Sequence, residues 1–287
     1  MTSVGPAPGA GAGSASTEWR FPNRATPPGS STYYSVRLAP AELRDDLAAV
    51  VAWRHEVRSV LDRVSDPGVA HTKLQWWREE LHRTADGAPR HPLSRNLALA
   101  MARHRLPPAG FLVMAGQVQA ELANHQPADR QAVEAACEAD LGALFDLLAR
   151  CHGIADPQTL GAARGLGAFC GLVYLIRDSG QHLRRGKPFL PADRLAELGI
   201  RPAALAQPEH IGRLPGLLAE AAAAARAYRS REAMAPRLPA SLRVRGRILA
   251  ALLAELEREE FDLAQRRVAL TPLRKLWLGW REARRGP

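Results

Sequence analysis

Apolar residues recur at helical spacing along almost all of this 287-residue chain, and no run alternates apolar and polar residues long enough to suggest a sheet. A period near 3.6 puts one stripe of each segment on a buried face, so an all-α, single-domain bundle is expected. The apolar content of 46% is ample for its core. Pro40, followed by AELRDDLAAVVAWRHEVRSVLDRV, marks a strong helix start, and Ser65-Asp66-Pro67-Gly68 marks its end. The next helix is expected over residues 69–83, with at least one of Trp76 and Trp77 in the core. Proline-bearing breaks near Pro92, Pro107-Pro108, Pro127 and Pro157 divide further helices. Residues 208–215 read as a linker, 217–228 as an alanine-rich helix, and 242–268 as the last long helix, with Glu255, Glu257, Glu259 and Glu260 on a solvated face. Residues 1–28, rich in Gly, Ala, Ser and Pro, are expected to be a disordered tail before a helical domain over 29–287.

The formal charge is +10, almost all of it arginine, since Lys73, Lys187 and Lys275 are the lysines. Basic chains attract nucleic acid, anionic lipid or phosphorylated ligands. No zinc-finger spacing or aromatic strand signature accompanies the charge, so nucleic acid is not an expected partner. Cys137, Cys151 and Cys170 lack Cys-x-x-Cys spacing and read as buried thiols in a reduced compartment. No His-Glu-x-x-His, Gly-x-Ser-x-Gly, Walker loop or dinucleotide fingerprint occurs. No uninterrupted apolar run approaches 18 residues, and the first residues have neither a basic start nor an apolar block, so cytoplasmic residence is the default expectation.

Two segments carry the chemistry. The first, AVVAWRHEVRSVLDRVSDPGVAHTKLQWWREEL with the upstream GSSTYYSVRLAP, resembles the opening of squalene and phytoene synthases. The second, GLVYLIRDSGQHLRRGKPFLPADRL, resembles that family's second motif: an Arg-Asp pair, a further acid four residues on, a basic stretch and Leu-Pro. The resemblance runs from about Gly29 to about Arg284 and implies an isoprenoid-synthase-like bundle around a central cavity. In that family the first motif carries acids at the positions matching Arg58, Ser59 and Asp62, and the second at those matching Asp178 and His182. Asp62 and Asp178 alone remain here. Residues four apart share a helix face, so the family's acids project together and hold Mg²⁺ against a substrate diphosphate. One acid per motif leaves little to hold such ions.

The replacements suggest a different site. Arg58 stands at i, i+4 from Asp62 and is expected to pair with it, at about 0.3–0.5 kcal/mol if exposed. A guanidinium binds phosphate in a bidentate fork, so Arg58, Arg177, Arg184, Arg185 and Lys187 are candidates for a metal-free anion pocket. A solvated basic surface is the plainer alternative. The resemblance aligns His55 with a family arginine and puts Arg54 one register, about 100°, away. The stretch ADLGALFDLLARCHGI, where synthases differ, looks more like the family's degenerate branch, typified by a mitochondrial assembly factor for respiratory complex I.

Two functions therefore stand open. The first is a non-catalytic binding or assembly factor, with a prenyl diphosphate or lipid in its cavity or a protein partner, and no cofactor. The second is an active head-to-head prenyl transferase of terpenoid biosynthesis, using Mg²⁺ on Asp62 and Asp178 with Arg177, Arg184 and Lys187 on the phosphates. The catalytic residues are unknown. At the end of the chain, Leu273, Leu276, Trp277 and Trp280 fall at helical spacing among Arg274, Lys275, Arg281, Arg284 and Arg285. They fit either a peripheral contact with the inner membrane or tryptophans that cap the core.

Overall fold

In the computed structural model of the protein, the described residues are 16–285 other than 65, 124–125, 186–188, 233–237 and 264–266, with the side chains of 230–232 also left out. They form helices and no strand. The first half runs α1 (Ser31–Arg37), α2 (Arg44–Arg58), α3 (Val60–Arg63), α4 (Pro67–Ala85), α5 (Pro92–His104), α6 (Pro108–Leu122) and α7 (Arg130–Cys137). A π-helical segment, Glu138–Gly142, then leads into α8 (Ala143–Cys151), α9 (Pro157–Arg177) and α10 (Ser179–Arg184). The remainder comprises α11 (Ala192–Glu197), α12 (Pro208–Ile211), α13 (Leu214–Glu232), α14 (Ala240–Arg258) and α15 (Pro272–Ala283).

Local chemistry accounts for the starts. Proline opens α4, α5, α6, α9 and α15, where its missing N–H costs nothing. Asp66, Asp129 and Asp156 each accept a 2.8 Å bond from the backbone N–H three residues on, capping α4, α7 and α9. The helix expected over 242–268 instead ends at Arg258, where Glu260 and Phe261 adopt positive φ. Residues 208–211 of the expected linker form α12. Glu255, expected on a solvated face, pairs with Arg274 at 2.6 Å and ties α14 to α15.

Helix α9 is the axis. It packs on α13, α8, α14 and the π segment. By length and composition alone it could cross a membrane, but most of it is buried inside the bundle. Its Gly and Ala residues allow close approach: a Cβ on Gly171 would lie 2.9 Å from that of Cys137. One contiguous apolar cluster extends from Trp19 to Leu278 and includes Trp77, while Trp76 is partly exposed beside it. The three cysteines are buried and unbridged, and burial pushes the Cys151 thiol up to about 12.

Two expectations are corrected. The disordered tail lies outside the described residues up to position 15, but from Ser16 the chain packs on the domain. Trp19 is 1% exposed beneath the Arg24 guanidinium, and the Ser16 backbone pairs with the Asn96 amide. Asn23, Ala25 and Thr26 are buried with it, so residues 16–28 dock on the domain instead of trailing from it. The helix after Pro40 is also interrupted, at Ser59, whose hydroxyl donates to the Glu56 carbonyl at 2.7 Å. A serine that bonds back into its own helix in this way competes with the backbone ladder.

Candidate functional site

A cavity of about 380 Å³ opens between α1, α2, α6, the π segment, α9, α14 and α15. Arg54 and Arg58, one turn apart on α2, both face into it and converge on Asp140 of the π segment. Arg54 binds Asp140 through two bonds of 2.6 and 2.5 Å, and Arg58 reaches the same carboxylate at 3.1 Å. Arg58 also grips Glu121 of α6 bidentately, at 2.9 and 3.0 Å. Burial alone would raise the Asp140 pKa, but Arg54 and Arg58 hold it below the usual carboxylate range. Burial likewise opposes the charge on Arg58, yet Asp140 and Glu121 keep it firmly protonated.

The opposite wall comes from the end of α9. Arg177 lies over the Tyr174 ring at 4.5 Å and clasps Asp178 at 2.9 and 2.5 Å, and Arg267 adds a bond to Asp178 at 3.0 Å. Against the effect of burial, Arg177 and Arg267 keep the Asp178 pKa low. His182 stacks edge-on against Phe189, and burial lowers its pKa, as it does that of His55. Both rings are therefore neutral near pH 7.

Arg58, Glu121, Asp178 and His182 also border a second space of about 360 Å³, which Asp62 and Arg185 complete. Asp62 is held by Arg185 at 2.5 Å, so the expected Arg58–Asp62 pair does not form. Arg58 is already committed to two acids, Glu121 and Asp140. Arg184 is exposed and borders neither cavity, lying about 200° around α10 from the inward His182. Lys187 lies outside the described residues.

The sequence reading missed Glu121 and Asp140, and it set Arg54 off the site. It also missed Arg245 of α14 and, as a cavity residue, Lys275 of α15. One signal was present for Arg245. Positions 242, 245, 249, 252 and 256 follow the 3–4 spacing of a buried stripe, and all but Arg245 are leucine.

A magnesium–diphosphate cluster needs several carboxylate oxygens open to one space. Asp62, Glu121, Asp140 and Asp178 are each bound by arginine instead. Among the described residues no three His, Cys, Asp or Glu side chains are grouped to hold a metal ion. This donor set does not fit the magnesium that the family resemblance implies.

A family model described as squalene/phytoene synthase matches residues 25–274. The phytoene synthase of Rhodobacter capsulatus is 29% identical over 261 residues, which cover 87% of this chain and 76% of that protein. The complex I assembly factor 6 of Rattus norvegicus is 26% identical over 170 residues, 59% of this chain, and the match spans about half (51%) of that relative's length. Among solved structures, a dehydrosqualene synthase in complex with ligand superposes with a TM-score of 0.73 at 19% identity, over 88% of this chain and 90% of that one. The squalene synthase HpnC from Alicyclobacillus acidocaldarius gives 0.69 at 20% identity, over 83% and 92%. At such identities the superpositions speak for the fold alone. The matched region takes in every helix from α1 to the start of α15, the second cavity and all of the first but Lys275, and the chain belongs to the squalene/phytoene synthase family.

Proposed function

We propose that this chain is a non-catalytic member of its family, a binding or assembly factor that retains the central cavity without its metal chemistry. One observation carries the reading: every carboxylate bordering the two cavities, among the described residues, is in direct ion pair with an arginine. Those pairs occupy the oxygens that Mg²⁺ would need. The similarity to complex I assembly factors agrees with it. Purified protein incubated with farnesyl or geranylgeranyl diphosphate and Mg²⁺ is expected to release no pyrophosphate above the no-protein rate. The alternative, an active prenyl transferase, draws on the similarity to a phytoene synthase. Turnover abolished by Asp62→Ala or Asp178→Ala would establish that alternative and overturn the proposal.

The same reading includes peripheral attachment to an anionic bilayer through α15. Leu278 and Gly279 of this helix are buried, whereas Leu273 is 79%, Trp277 51% and Trp280 46% exposed, which supports this face as a contact surface. Arg281 lies 5.3 Å over the Trp277 ring and Arg284 3.9 Å over that of Trp280. Indoles beside cations suit the boundary between lipid and water, and each basic residue contributes about 1 kcal/mol near an anionic surface. Trp277→Gln with Trp280→Gln is expected to reduce sedimentation with phosphatidylserine liposomes about tenfold or more, since two large apolar groups are lost. Unchanged binding would refute a role for this helix.

A further inference from the structure

Arg245 is 3% exposed, and its Nε and Nη1 have no hydrogen-bond partner. Among the described residues no carboxylate lies within ion-pair distance of it. The Phe145 and Tyr174 rings flank the guanidinium at 5.4 and 5.8 Å, which only partly replaces its lost hydration. Leaving an arginine buried with idle donors is costly unless something completes its shell.

This group lies in the wall of the 380 Å³ cavity. The acids of that cavity, Glu121, Asp140 and Asp178, are all in direct ion pair with Arg54, Arg58, Arg177 or Arg267, and none with Arg245, which acts on Asp140 only from beyond contact distance. Lys275, half-buried on the same cavity, meets a backbone carbonyl (Gly29, 3.1 Å) and no carboxylate, and burial lowers its pKa. With His55 and His182 neutral, two cations without a direct ion pair face one cavity. Val51, Leu141, Leu144 and Leu175 supply an apolar side to it.

We propose that Arg245 and Lys275 form a metal-independent site for an amphipathic oxyanion, a single carboxylate or phosphate head on an apolar chain. A purely hydrocarbon occupant would leave the guanidinium unpaired, and a magnesium–diphosphate would find no free acid. The proposal rests on the reading above that this cavity works without metal.

The test is calorimetry on the full chain with dodecanoate and with dodecyl phosphate, which share a tail and differ in head, and with inorganic phosphate, each in EDTA and again in Mg²⁺. Saturable binding of a dodecyl ligand in EDTA is expected, weakened roughly ten- to hundredfold by Arg245→Met, as for loss of one charge-assisted donor group. Which of the two binds more tightly identifies the head. Lys275→Met is the second variant, and a rise in wild-type Tm with the bound ligand in EDTA needs no variant. Binding in EDTA that neither substitution weakens overturns this site while leaving the non-catalytic reading intact. Binding seen only with Mg²⁺ overturns both. Absence of binding by all three ligands to folded protein overturns the site alone.

Discussion

Asp140→Ala is expected to destabilise the protein by about 3 kcal/mol, because it strands Arg54, which has no other acid within ion-pair reach among the described residues, and leaves Arg58 to Glu121 alone. Asp62→Ala makes the contrast. Its pair with Arg185 is roughly half exposed on both sides, so its loss should cost less than about 1 kcal/mol. Denaturant midpoints of the two variants decide between a keystone and a surface pair. The pH dependence has a definite sign. The folded pKa of Asp140 lies below its ordinary value of 3.8, so its contribution is fully present above that value and lost as pH falls through the lower folded one. In Asp140→Ala, that part of the acid limb below about pH 4 should vanish. Equal stability of the two variants at neutral pH would refute the keystone role.

Gly167→Ala should be comparably severe, at about 3 kcal/mol, although alanine is the better helix former by about 1 kcal/mol. A Cβ at this position would lie 2.2 Å from the Leu141 carbonyl oxygen and 2.7 Å from the Gly142 Cα. These atoms are backbone and cannot swing aside, so α9 would have to move off the π segment that carries Asp140. Gly161, in the same helix, has open space around its Cβ position. Gly161→Ala should therefore stabilise the protein by about 0.5–1 kcal/mol. Thermal unfolding of both variants checks the pair, and a stabilised Gly167→Ala would show that α9 and the π segment are not in contact as described.

The fold was legible because its rules are local. Prolines at 67, 92, 108 and 157 opened helices where the sequence placed their breaks, and the apolar period gave the buried faces. The two motifs were legible as well, and Arg58, Arg177 and Asp178 do meet at one cavity. What those side chains bind was not. Arg58 is 63 residues from Glu121, and Arg54 is 86 from Asp140, separations over which spacing within one helix says nothing. Arg58 and Asp62 do border one space, but the expected pair between them failed because Glu121 and Asp140 claim Arg58 and Arg185 claims Asp62, partners that come from distant helices. Arg245 was missed for another reason. Its place in a leucine stripe was visible, but an arginine-rich composition made one more arginine look ordinary.

Arginines pair with Asp62 and Asp178, the two acids left where the family resemblance implies magnesium. Calorimetric titration of Mg²⁺ into wild-type protein, with and without a non-hydrolysable diphosphate analogue, reads whether these pairs exclude the metal. The expected result is no saturable Mg²⁺ binding at any concentration up to the millimolar range, because a Mg²⁺ site needs free carboxylate or phosphate oxygens. Any diphosphate binding should be the same in EDTA. Stoichiometric uptake of magnesium that depends on the diphosphate and disappears in Asp178→Ala would show that Asp178 still serves as a metal ligand despite its arginine partners.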